Sequence, residues 1–311
     1  MEFKHYSVMK QECLAGLNIK ADGVYMDGTL GGGGHSLLIG NLLSPKGKLI
    51  MFDLDTDAIK FSKKKLENLD CEKYFINDNF KNFKSHIDKL GVKLDGVLLD
   101  LGVSSYQIDE PERGFSYIND GPLNMAMNKD ADFTAFDVVN NYSQSELIKV
   151  IRDYGEEPMA ARIAAKIVAA RKNSPIVSTG QLAEIVASAI SLKFRFANGH
   201  PAKRVFQAIR IEVNGELTNL KECLISLVRD GLNSGGRLAV LTFHSLEDRI
   251  AKEAFTMLAS DCICDKKIPI CVCKHKAEVK LINKKPIVAG EQEQLENSRS
   301  HSAKLRVVEK L

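Results

Sequence analysis

A mixed α/β chain with a mainly parallel, doubly wound sheet and an inserted helical segment is predicted by three observations. Apolar runs ending in an acid or amide recur at βα spacing, one of them breaks into glycines before a helix restarts, and the last strand is delayed by a string of helical patterns. The first run, Gly23-Val24-Tyr25-Met26, ends at Asp27 and passes through Gly28-Thr29-Leu30-Gly31-Gly32-Gly33-Gly34-His35 into the helix-like Ser36-Leu37-Leu38-Ile39. The second, Lys48-Leu49-Ile50-Met51-Phe52-Asp53-Leu54-Asp55, reads as a buried parallel strand, with Thr56 or Asp57 able to cap the helix after it. Strands three and four are Lys73 to Phe80 and Asp95 to Gly102. A doubly wound sheet would normally add a short crossover and a fifth strand at once. Here the next convincing strand is Gly236 to Phe243, after helical patterns at Glu146 to Asp153, Pro158 to Ala170, Gln181 to Ser191 and Val205 to about Leu232. Ser143 or Ser145 can cap the first of these and Thr179 the third. The domain reading is therefore a discontinuous core of residues 1–105 and 201–311, with a helical insertion at 106–200 set over the strand ends to recognise substrate.

Composition fits an enzyme of the cytoplasm. A chain of 311 residues is long for one core. No apolar stretch approaches membrane-spanning length, and Met1-Glu2-Phe3-Lys4-His5 is too polar for a signal peptide. Seven cysteines without secretory context are expected to be reduced or metal-bound. A net charge of +3 argues against a generic nucleic-acid coat. Local clusters differ: Lys193-Phe194-Arg195-Phe196, Lys203-Arg204 and the lysines from Lys266 to Lys285 could track a phosphate backbone, or simply form a solvated face.

A strand that ends in an acid, breaks into glycines and restarts as a helix has the form of a nucleotide-cofactor loop, since glycines permit the turn and let backbone N–H groups approach a ligand. The dinucleotide fingerprint G-x-G-x-x-G fails, because the frame Gly31-x-Gly33 puts Ser36 where its last glycine belongs. The register that fits is Asp-x-x-x-Gly-x-Gly, the loop of Rossmann-like S-adenosylmethionine (SAM) methyltransferases, with Asp27 placed to reach the cofactor's methionine amine. A glycine turn without a ligand is the plainer alternative. An acid at the end of the second strand accepts hydrogen bonds from both ribose hydroxyls of a nucleoside bound across the strand ends. Asp53 is that acid, and Asp55 a surface or helix-cap residue. Asn79, Phe80 and Asp100 then point toward one crevice, with Phe80 flanking the adenine.

Other clusters admit more than one reading. Cys262-Ile263-Cys264 and Cys271-Val272-Cys273 form C-x-C-x6-C-x-C, enough thiolates for a tetrahedral structural zinc, although C-x-x-C is the commoner spacing and free thiols are the alternative. His244-Ser245 closes the fifth strand without a G-x-S-x-G elbow, which favours substrate contact over a hydrolase. His35 is expected to contact cofactor through its backbone.

Across its length the chain resembles the bacterial RsmH, or MraW, family of 16S ribosomal RNA methyltransferases. The matching stretches are Tyr6-Ser7-Val8-Met9, the Asp27 to His35 loop, Asp95 to Gln107, Glu112 to Ser116, Tyr154 to Glu157, His200 to Arg210, Phe243 to Arg249 and Ser302 to Arg306. The resemblance implies a SAM-dependent enzyme that methylates N4 of one cytidine in the decoding region. Its implied partners are 16S rRNA within the small ribosomal subunit and no membrane, with a homodimer left open. Carried over by position, its cofactor contacts fall on Gly33, Gly34, His35, Asp53, Phe80, Asp100 and Gln107. A cytosine amine is a poor nucleophile, so the chemistry needs in-line positioning and an acceptor for an N4 proton. Asp100, where many amino-methyltransferases carry an Asp/Asn-Pro-Pro-aromatic turn, is the candidate acceptor, or else serves only the cofactor. Lys203, Arg204, His244 and Ser245 are the candidate substrate contacts; Phe115, Phe194 and Phe196 are candidate stacking platforms, although a core position is the commoner role for each ring. One segment departs from the family: where its pattern reads Leu-Asp-Met-Arg-Met-Asp, this chain has Asn124, Ala126 and Asn128. Three charges vanish there, which leaves open a weak or silent paralogue that binds RNA or the subunit, or an N-methyltransferase acting on another nucleic acid.

Overall fold

The computed structural model describes residues 7–190, 200–265 and 270–311. These form two compact units, Met1–Gly102 with Asn219–Leu311, and Val103–Thr218.

The first unit carries the sheet. Strands β1 (Val24–Asp27), β2 (Lys48–Asp53), β3 (Glu72–Asn77), β4 (Leu94–Asp100) and β5 (Leu232–Thr242) run parallel. Three further strands, β6 (Val279–Leu281), β7 (Ile287–Val288) and β8 (Lys304–Lys310), add an antiparallel flank, and the order is β3-β2-β1-β4-β5-β8-β6 with β7 also on β8. Leu49, Ile50, Met51 and Phe52 are all fully buried, as expected of a parallel strand covered on both faces. Because β1, β2 and β4 are parallel neighbours, Asp27, Asp53 and Asp100 all close their strands on one edge of the sheet.

The second unit is helical. Its core includes Ile163, Leu182, Val186, Val205, Phe206 and Ile209. Those last three lie on the helix Ala202–Asn214, which therefore belongs to the second unit; the expected boundary at residue 200 falls too early. The long helix expected from Val205 to about Leu232 is broken. Gly215 takes φ 56° and Asn219 φ 55°, left-handed values that end one helix and precede the next at Leu220–Ser226. Ser178, one residue before the expected Thr179, caps the helix Thr179–Ala189 by accepting the Gln181 N–H. Ser143 caps Gln144–Asp153 in the same way.

Candidate active site

The glycine loop is built by hydrogen bonds that start from Asp27. Its Oδ1 accepts the Thr29 N–H at 3.1 Å and its Oδ2 the Ser36 hydroxyl at 2.6 Å, and the residue has no exposed surface. Asp27 thus organises the loop from inside, a correction to the direct ligand contact expected of it. Gly28 donates to the Leu98 carbonyl at 2.9 Å, and a Cβ there would come within 2.3 Å of Leu99 and 3.1 Å of Phe80 Cβ. Only glycine lets Phe80 lie this close to the loop. Gly33 has φ 69° and precedes the helix Gly34–Gly40.

Asp53 and Asp100 flank that loop. Asp53 Oδ2 accepts the Gly31 N–H at 2.7 Å, and Oδ1 accepts the Asp55 N–H at 2.8 Å. Asp55 is the N-cap of the helix Thr56–Lys65, as one reading of it anticipated. Asp100 donates its backbone N–H to Thr29 Oγ1 at 2.7 Å. Its Oδ2 lies 3.5 Å from His35 Nε2, while its buried Oδ1 has no hydrogen-bond partner among the described residues. Burial pushes the Asp53 carboxyl up to about 6, partly offset by the two N–H donors. Burial, then the charges of Asp27 and Glu247, hold Asp100 well above the usual carboxylate range. Burial also raises Asp27.

Glu247 is the residue that residue-by-residue reading of the sequence leaves without a role. It is 1% exposed and accepts the Phe243 N–H at 2.9 Å, beside the end of β5. Its signal was available: an acid at the third position of a helix that follows a strand is placed to tie the connecting backbone.

This edge fits a cationic nucleoside ligand, since acids close three adjacent strands, Phe80 lies against the loop and one carboxylate oxygen of Asp100 has no hydrogen-bond partner among the described residues. The profile of the MraW methylase family matches residues 2–311. The chain belongs to that family. It is 53% identical over 312 aligned residues to "Ribosomal RNA small subunit methyltransferase H" of Clostridioides difficile, with both chains covered in full. A protein of that name from Clostridium botulinum is 51% identical with the same coverage, and "Ribosomal RNA small subunit methyltransferase H 2" of Agathobacter rectalis 50% identical, with 99% of its length covered. Family membership makes this a SAM-dependent methyltransferase.

The remaining expected site residues are scattered. His244 has a mostly buried ring 3.2 Å from Glu247 Oε1, so its side chain is not the open substrate contact expected; Ser245 beside it is exposed. In the second unit, Lys203 is exposed, whereas Arg204 Nη1 lies 3.6 Å from the nearly buried Glu157. Phe115 is packed in the helical core, the plainer of its two readings, and is not a stacking platform. Gln107 is buried, and its Oε1 accepts the Ser104 N–H at 3.0 Å in a capping box. Lys193, Phe194, Arg195, Phe196, Lys266 and Lys267 lie outside the described residues. The sulfurs of Cys262, Cys264, Cys271 and Cys273 all lie within 4.8 Å of one another.

Proposed function

We propose that this chain transfers a methyl group from SAM to N4 of a cytidine in the decoding region of 16S rRNA, acting on the small ribosomal subunit. The observation that carries the proposal is the pairing of about 50% identity over full length to proteins named for small-subunit rRNA methylation with the unpartnered carboxylate oxygen of Asp100 at the strand edge. SAM supplies an electrophilic methyl on a sulfonium. Asp53, through lone pairs left over from its two N–H contacts, accepts the ribose hydroxyls. Phe80 packs against the adenine, with Gly33, Gly34 and His35 forming the wall of the cofactor loop. Asp100 Oδ1 accepts a proton from the exocyclic amine, so that the nitrogen lone pair turns from the ring toward the methyl.

The helical unit holds the RNA through exposed cations such as Lys203, and the target base must be unpaired or flipped to reach the acceptor. Tritium transfer from labelled SAM to small subunits from a strain lacking the endogenous modification, followed by nucleoside analysis, tests the proposal. Label in N4-methylated cytidine is expected. Label in another nucleoside would move the activity elsewhere, and a chain that binds SAM but transfers nothing would be a silent paralogue.

A further inference from the structure

The connection between the helix Ser245–Leu258 and β6 has a stapled base and, among its described residues, no apolar core farther out. At the base, the Glu278 N–H donates to the Leu258 carbonyl at 2.7 Å, the Ala277 N–H to Asp261 Oδ1 at 3.2 Å, and His275 Nε2 lies 3.2 Å from the Met257 carbonyl. Farther out, Ile263, Ile270 and Val272 are 51%, 75% and 70% exposed, so apolar packing does not fix the tip. Four cysteines converge there all the same. Cys271 and Cys273 sulfurs are 3.6 Å apart, and Cys273 and Cys262 sulfurs 3.8 Å apart. A Zn–S bond of about 2.3 Å in a regular tetrahedron requires sulfur–sulfur edges of about 3.8 Å.

The backbone around them follows an approximate two-fold pattern. The residue inside each C-x-C donates its N–H to the second sulfur of the other pair: Ile263 to Cys273 and Val272 to Cys264, both at 3.4 Å. Cys273 also accepts the His275 N–H at 3.5 Å, and Cys262 the Cys264 N–H at 3.4 Å. Such donors stabilise sulfur that carries negative charge, and neutral thiols gain little from them. We propose that Cys262, Cys264, Cys271 and Cys273 form a tetrathiolate site for one structural Zn2+, which closes the tip of this loop in place of a hydrophobic core. The site is independent of methyl transfer: β6 stands at the far edge of the sheet from β2 and β3. Binding releases the thiol protons, and the metal couples folding of the tip to its own affinity. A tetrahedral all-sulfur set with alternating backbone donors suits zinc among the divalent ions.

The test is metal analysis of the full chain purified under reducing conditions without chelator, followed by Co2+ titration of the metal-stripped protein. About one zinc per chain is expected, together with intense sulfur-to-cobalt charge-transfer and tetrahedral d–d bands that saturate at one equivalent. The variants C262S/C264S and C271S/C273S are each expected to lose both signals while keeping SAM affinity. Should either variant fail to fold, the cobalt spectrum of the unaltered chain still decides. No zinc together with only weak octahedral cobalt bands would overturn the proposal, as would a stoichiometric signal that survives both double substitutions.

Discussion

Replacing Asp53 with asparagine should raise the stability of the ligand-free protein relative to the parent as pH rises toward neutrality, and make it a worse binder of SAM. Folding lifts the Asp53 carboxyl from its ordinary 3.8 to about 6, with burial as the main cause. An acid whose folded value is raised binds more protons folded than unfolded, so its contribution to stability falls as pH rises through that window and is wholly unfavourable above it. The displacement corresponds to at most about 3 kcal/mol. Asparagine is neutral like the protonated acid, and its oxygen still accepts from Gly31 or Asp55, but its amide nitrogen cannot accept from the other N–H, a loss that does not depend on pH. The stability of the variant relative to the parent should therefore rise by up to about 3 kcal/mol between about pH 4 and pH 7.5, several degrees for a unit of this size. SAM affinity should fall by about 1.5–3 kcal/mol, roughly 10- to 150-fold, because the ribose hydroxyls lose a charged acceptor. Scanning calorimetry across pH and titration calorimetry with SAM read the two effects separately. If the melting difference between the proteins does not change with pH, the carboxyl is not held above its ordinary range. If SAM binding is also unchanged, the edge formed by Asp53 is not the cofactor site.

Asp100→Asn keeps the shape of the side chain but weakens the acceptor, so turnover at saturating SAM should drop by about 10²- to 10⁴-fold; an unchanged kcat with a raised KM for SAM would leave Asp100 as a binding residue only. Lys203→Ala and Arg204→Ala should separate. The first weakens subunit binding and flattens its salt dependence; the second also costs about 1 kcal/mol of stability by leaving Glu157 without its ion pair, and equal melting temperatures would remove that structural role. Restoring the family pattern with Asn124→Asp, Ala126→Arg and Asn128→Asp should raise the rate on small subunits, since aspartates keep the acceptors that Asn124 and Asn128 offer to the Ala126 and Asp130 N–H groups. Equal initial rates would mark the segment as structural alone.

Much of this was legible in the sequence, for physical reasons. Runs such as Leu49 to Phe52 are apolar on both faces and can be satisfied only in a covered parallel sheet. Once these strands are parallel, the acids that end them must share an edge. The partners of those acids were not legible. That Asp27 spends both oxygens on Thr29 and Ser36, or that Glu247 lies close enough to act on Asp100, follows from tertiary placement. Helix limits failed where a single backbone angle overrides a periodic pattern: the apolar period continues through Gly215 and Asn219, yet both adopt left-handed φ. His244 shows the opposite error, since its position after a strand suggested an open contact whereas the ring is turned inward beside Glu247.

The strand edge also carries an electrostatic cost when its acids are ionised, and a cationic ligand would offset it. Asp27, Asp53 and Asp100 are all held above the ordinary carboxylate range, and Asp27 is among the causes for both of the others. Without a ligand this arrangement is unfavourable, because burial disfavours each ionised carboxylate and the charge of Asp27 adds repulsion on Asp53 and Asp100. It persists where function needs negative potential in a desolvated place. If SAM binds at this edge as proposed, its sulfonium and ammonium lower the proton affinity of Asp53 and Asp100, and its affinity should rise with pH across the range in which they titrate. The demethylated product keeps the ammonium and loses the sulfonium charge. With SAM at the proposed site, the same acids should hold the product less strongly than the donor, an expectation that competitive titration of donor and product against the parent and Asp53→Asn proteins checks.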